Sequence, residues 1–148
     1  MTTAMDIEYA LETGIITELA KRTYFATGGA GAGTSMLHHM DNSITERPLK
    51  YIIVHASPAE RLQPNSPFYK VSVSIVSLTH VPNDENRAIC RAFYKECLDF
   101  VNRFDKSAVS TASGLTIDGF VPQTGSESMG SDSFQNLIAS VDVFITKN

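Results

Sequence analysis

Residues 27–35 read TGGAGAGTS, the densest glycine run in the chain and the first place to look for phosphate chemistry. A Walker-type loop needs GxxxxGK[ST], in which backbone N–H groups wrap the phosphates and the lysine neutralises their charge. Gly28 and Gly33 have that separation, but Thr34 stands where the lysine is required. The dinucleotide pattern GxGxxG fails as well, because Gly29, Gly31 and Gly33 simply alternate. Both motifs follow a strand and open a helix, whereas the residues before Thr27 carry a helical pattern. The run therefore reads as a flexible arm that becomes ordered against a neighbouring subunit.

Other chemistry-bearing residues are scattered. His38 and His39 adjoin, with Asp41 close by, but neighbouring residues of a strand point to opposite faces and seldom share one ion. His55 and His80 are isolated, so polar loop histidines are expected and no metal site. Cys90 and Cys97 are the only cysteines. On one helix, seven residues at 1.5 Å rise hold them roughly 10 Å apart, too far for a disulfide. Cys97 falls on the apolar side, where a thiol acts as a small hydrophobe. Gly125–Gly130, GSESMG, misses the GxSxG nucleophile elbow by one residue and lies between two strands. The acids Asp99, Asp105, Asp118, Glu127, Asp132 and Asp142 have no spacing that sets an acid beside a base. No catalytic residue and no cofactor are expected.

The elements that would position any site can be read from periodicity. Ile7, Leu11, Ile15 and Leu19 recur every four residues and predict a helix over 3–22, with Thr2 or Thr3 as cap and Glu8, Glu12 and Glu18 largely off the apolar stripe. Gly14 weakens its middle. Irregular sequence follows to Pro48. LKYIIVHA (49–56) predicts a strand, SPAERLQPNSP (57–67) a proline-broken loop, and FYKVSVSIVSLT (68–79) a long strand. In that strand Val71, Val73 and Ile75 share one face. The alternation slips at Ile75-Val76, which calls for a bulge or an apolar contact on the second face. Asn83 or Asp84 caps a helix running to Phe104, with Ile89, Phe93, Cys97, Phe100, Val101 and Phe104 as its buried stripe. Residues 105–113 read as a Ser- and Ala-rich connection, 114–121 as a strand, 122–136 as a polar loop and 137–146 as a strand.

Helix, two strands, helix, two strands gives one α+β domain: a mainly antiparallel sheet of about four strands with two principal helices on one face. The expected core is Ile7, Leu11, Ile15, Leu19, Val71, Val73, Ile75, Ile89, Phe93, Val101, Val141 and Val143. At 148 residues, 43% hydrophobic and 19% charged, the chain has material for one such core. Its formal net charge of −4 argues against a general nucleic-acid binder. It leaves room for a ring through which DNA passes without specific binding. No apolar run is long enough to span a membrane, the acidic start is unlike a secretory signal, and two reduced thiols suit the cytoplasm.

The segment PLKYIIVHASPAERLQPNSPFYKVSVSIVSLTHVPNDENRAICRAFYKECLDFV (48–101) is an extended run ending near AER, then an alternating strand, then an acidic helix start. It resembles neck proteins of tailed bacteriophages, in particular the tail terminator or tail-completion family, and residues 114–146 resemble their last hairpin. The resemblance implies a non-enzymatic subunit of a ring, usually a hexamer, that caps the tail tube and joins it to the head connector. Such a subunit is assembled in the host cytoplasm and carried in the virion. Other phage structural parts, such as head-closure, tube or minor tail proteins, are the alternative. A small-ligand domain using the glycine run with His38 and His39 is the reading from a different class. In the ring reading the long loops 26–47, 57–67 and 122–136 are contact segments. Gly28, Gly29, Gly31 and Gly33 then mark one contact, and Arg47, Arg61 and Arg87 are candidate interface ion-pair residues.

Overall fold

The computed structural model describes residues 5–32, 34–38, 50–80, 84–128 and 134–147. In chain order the elements are α1 (Met5–Ala20), β1 (Ser35–His38), β2 (Lys50–Ala56), β3 (Glu60–Arg61), β4 (Phe68–His80), α2 (Asp84–Asn102), α3 (Lys106–Ser113), β5 (Thr116–Ser128) and β6 (Phe134–Thr146). The fold is α+β, as the pattern predicts. The sheet, however, has six strands rather than four, in the order β1-β2-β4-β6-β5, with β3 also paired to β4.

The expected hairpin partners do pair. β2 runs antiparallel to β4 from Lys50↔Thr79 to Ala56↔Val73, and β5 antiparallel to β6. β6 then inserts beside β4, in unbroken register from Phe68↔Thr146 to His80↔Phe134. Two strands were hidden in expected loops. β1 pairs parallel with β2, Ser35↔Tyr51 to His38↔Val54, so the sheet is mixed. β3 pairs only through Glu60↔Lys70 and Arg61↔Tyr69. It continues the β2 line along β4, since the Ser57 N–H donates to Ser72 O at 2.8 Å between them. Pro58, which has no N–H, interrupts that line.

The 105–113 segment is a helix, not a connection. The Asp105 carboxylate accepts the Ala108 N–H at 3.0 Å, and Gly114, at φ 75°, closes the other end with its N–H on Ser110 O. These two caps hold a short helix whose one buried residue is Val109. Strand β5 also runs past its expected end at Val121 into the expected loop. Pro122 is tolerated there because β5 is an edge strand, and β6 starts at Phe134 rather than Leu137.

The core lies between the three helices and one face of the sheet. Ile7, Leu11, Ile15 and Leu19 of α1, Phe93, Cys97 and Val101 of α2, and Val109 of α3 pack with Ile52, Val54, Val71, Val73, Ile75, Ala139, Val141, Val143 and Ile145. Of the expected core only Ile89 is partly exposed, packed against this cluster. Gly14 is the point where α1 meets α3: a Cβ there would stand 2.8 Å from the Ser113 Cβ, so its helix-weakening cost serves close packing. At Ile75-Val76 the strand keeps its alternation, with no bulge, and the second face makes an apolar contact. Ser77 turns into the core near the Cys97 thiol, while Val76 packs with Ile53 and Leu37 on the helix-free face.

Candidate functional site

Around the glycine run the chain folds into successive turns. The Phe25 and Ala26 N–H groups donate to Arg22 O, Gly29 N–H to Ala26 O, Gly31 N–H to Tyr24 O, and Thr34 N–H to Gly31 O. The Tyr24 ring meets Phe25 and Phe93 edge-on at 5.0 and 6.0 Å, which fixes the segment on α2. Gly28 has a φ of 90°. A Cβ at Gly29 would lie 2.2 Å from Thr23 O, and one at Gly31 2.4 Å from the Tyr24 ring. Within one copy, then, the glycines allow the chain to close on itself, and the N–H groups a phosphate would need at Gly29 and Gly31 are already donated. Gly33 lies outside the described residues, as do His39, Asp41 and Arg47.

Where β1 ends, α1 supplies a cluster of polar groups that the sequence does not announce. Glu12 is buried. One of its oxygens lies 2.8 Å from His38 Nδ1, and the other accepts the Ala56 N–H at 2.8 Å. A carboxylate can only accept, so Nδ1 is the donor in this pair. One turn earlier, Glu8 accepts the Ala59 N–H at 2.7 Å. The described β1–β2 ladder runs to His38↔Val54, and past Val54 the two carboxylates accept the Ala56 and Ala59 N–H groups. The second Glu8 oxygen is buried with no hydrogen-bond partner among the described residues. The Tyr9 ring, half exposed, stacks on His38 at 4.2 Å between centroids and 7° between planes.

Thr13 Oγ1 stands 3.4 Å from His38 Nε2, so carboxylate, imidazole and hydroxyl follow the order used in acyl transfer. Two features set this apart from a working triad. The Thr13 hydroxyl is bonded back to Tyr9 O at 3.0 Å, and neighbouring N–H groups inside α1 serve the helix rather than a developing oxyanion. The arrangement is a clamp joining α1, β1 and β2.

A second clamp joins the end of α1 to α2. Arg22 donates through Nε to Glu96 at 2.8 Å and through Nη2 to Asp99 at 2.7 Å, and Arg103 reaches the other Asp99 oxygen at 3.2 Å. The hydrogen bond from Arg22 holds the Asp99 carboxyl below its ordinary range, with Arg103 adding to the effect. Burial and the nearby Glu96 charge raise the Tyr24 hydroxyl above its ordinary range.

Arg61, expected at a contact, stands on β3 with its guanidinium around the Tyr69 hydroxyl: Nη2 donates at 2.6 Å and Nε at 3.2 Å. It fixes the base of the 62–67 turn, where Leu62 N–H donates to Phe68 O at 3.0 Å. Leu62 and Phe68 are 47% and 49% exposed. Arg87 lies in α2, but its side chain, like that of Cys90, is outside the description. On the opposite edge of the sheet Val121 is 48% exposed. Beside it Gly119 faces open space, with nothing within 4 Å of where a Cβ would be. Among the described residues no group of three or more His, Cys, Asp or Glu is placed to hold a metal ion, and no helix is long and apolar enough to cross a membrane.

No protein-family profile and no curated protein matches this sequence. Solved structures do share its fold. One, whose name carries no functional description, superposes with a TM-score of 0.58 at 12% identity, covering 100% of this chain and 99% of that chain. That likeness is one of fold alone.

Proposed function

We propose that this chain is a structural subunit of a tailed-bacteriophage neck, of the tail terminator or tail-completion kind. In this reading it forms a hexameric ring that caps the tail tube and joins it to the head connector. It performs no catalysis and needs no cofactor, and DNA passes through the ring without specific binding. The family resemblance of residues 48–101 and 114–146 supplies the reading. The observation that carries it here is the 62–67 turn. Leu62 on the turn and Phe68, the first residue of β4, are large apolar side chains left about half exposed beside the Arg61–Tyr69 contact. Exposed apolar residues on a pre-ordered polar-rimmed tip suit a protein contact.

The polar clusters support the same reading, because Glu12, His38, Arg22 and Asp99 are engaged in holding elements together. Head-closure, tube and minor tail subunits would use such a tip equally well, and electron microscopy of the assembled particle separates them by position. The test of the reading is native mass spectrometry of the full chain, alone and mixed with a tail-tube protein. Rings are expected. A monomer at every concentration, with no ring on mixing, overturns it.

A further inference from the structure

The side of the sheet away from the helices carries one continuous surface. In β4, Phe68, Lys70, Ser72, Ser74 and Val76 alternate with the core residues Val71, Val73 and Ile75. In β6, Ile138, Ser140, Asp142 and Phe144 alternate in the same way with Ala139, Val141 and Val143. Val121 of β5 pairs with Asp142, and Ile53 of β2 with Val76, so both share this side. Leu62 does as well, because its N–H on Phe68 O continues the Glu60↔Lys70 and Arg61↔Tyr69 register. Among the described residues the exposed large apolar side chains are Leu62, Phe68 and Val121, all on this side, and Tyr9 on α1.

This surface is apolar at both ends and polar between. Leu62 and Phe68 mark one end, and Ile53, Val76 and Ile138 the other, with Leu37 packed beside Ile53. Midway lies the row Ser72, Asp142 and Val121, whose polar groups are satisfied within the copy. The Asp142 carboxylate accepts from Ser72 Oγ at 2.8 Å and from Gln123 Nε2 at 3.0 Å, with Lys70 Nζ at 4.0 Å. A second protein can therefore cover this row without leaving a buried charge unpaired. β2 with β3, β4, β6 and β5 make four strand widths at about 4.8 Å, and 13 residues at about 3.4 Å give the length. The product, roughly 800 Å², is the area each partner of a stable pair buries.

A half-turn about an axis that crosses the strands at the middle row lays Phe68 of one copy on Val76 of another and Leu62 on Ile53, apolar on apolar. An axis along the strands would lay Phe144 on Lys70 instead. A two-fold contact uses one patch twice, and stacked sheets pack about 10 Å apart with their strands nearly aligned. We propose that two copies of this chain pair face to face through this side of the sheet, with Val121 of each beside Val121 of the other. The pairing gives the Leu62–Phe68 end a second copy as its partner, and it holds whether or not a ring forms.

The test uses the full-length chain in native mass spectrometry and sedimentation, with V121D, V121K and F68D. Val121 and Phe68 are half exposed within one copy, so all three variants are expected to keep the wild-type circular dichroism. Each alone is expected to weaken pairing roughly tenfold or more and to halve the copy number of the wild-type species. An equal mixture of V121D and V121K is expected to restore it, because unlike charges then meet across the axis. Recovery on mixing also guards against a folding defect, which mixing would not repair. If the wild type is a monomer at every concentration, or if the variants keep its copy number, the pairing is wrong. If the mixture fails to recover, the axis is misplaced and the proposal falls. The neck reading fails separately: V121D mixed with a tail-tube protein is expected to form a ring if that reading holds, and none if it does not.

Discussion

The Glu12 carboxylate bridges His38 Nδ1 and the Ala56 N–H, both at 2.8 Å, so one buried side chain of α1 ties together β1 and β2. Its position explains why a four-residue parallel strand persists at the margin of the sheet. Glu12→Ala strips the partner from His38 and leaves the Ala56 N–H without its acceptor. Leaving buried hydrogen-bond donors without their acceptor costs about 1–3 kcal/mol each. Glu12→Gln keeps an acceptor and is expected to cost less than half as much. Urea unfolding of the two variants checks the order.

The glycine run offers a contrast between crowding and backbone conformation. Gly29→Ala drives a Cβ to 2.2 Å from a backbone carbonyl and is expected to cost about 3 kcal/mol, in the range of overpacked interiors. Gly28→Ala meets no atom within 4 Å but must hold φ at 90°, a strain of about 1–2 kcal/mol. Denaturant midpoints should rank wild type above G28A, and G28A above G29A. Equal stability of all three would mean that this segment is slack chain.

The Arg22 clamp gives stability a pH dependence at the acid end. Asp99 has a folded pKa below its unfolded value, chiefly through the hydrogen bond from Arg22. Its contribution is present above about pH 4 and is lost as pH falls through the lower folded value. Asp99→Asn should therefore flatten the acid limb of the stability curve. Tyr24, raised first by burial and then by Glu96, acts at the other end. Stability is complete below about pH 10 and falls as pH rises toward the folded value. Tyr24→Phe should remove that alkaline loss. Melting temperatures from pH 3 to 11 test both limbs.

Helix α3 depends on its ends. Asp105→Ala removes the acceptor for the Ala108 N–H and is expected to cost about 1 kcal/mol. Gly114→Ala, at φ 75°, is expected to cost a similar amount. Calorimetry reads both, and near-additive losses are expected because the two caps share no partner.

What the sequence shows of this fold follows the range of each interaction. The α1 stripe and the alternation of β4 and β6 are periodic over many residues, and the periodicity locates the core. Helix α3 is too short and too rich in serine to show a stripe. Its signals were the flanking Asp105 and Gly114, an N-cap residue and a glycine stop. Strand β1 has four residues and a partner reached only across residues 39–49, so no local pattern could betray it. Glu8 and Glu12 lie largely off the apolar stripe, yet they turn to the sheet, where they accept the Ala59 and Ala56 N–H groups. The glycine run is conspicuous as composition, but whether its glycines give slack or close approach depends on Tyr24 and Phe25 packing over them.

Strand β6 lies between β4 and β5, although it follows both of them in the chain. Until it emerges, β5 has no partner, and β4 shows one bare ladder along its whole length. Ser72 and Asp142, which meet across that ladder, are separated by 70 residues. The sheet's middle strand is therefore made after both of its neighbours, and closure of so distant a pairing is intrinsically slow. A nascent copy spends that interval with an unfinished sheet, so its vulnerability to aggregation should be set by how soon β6 arrives.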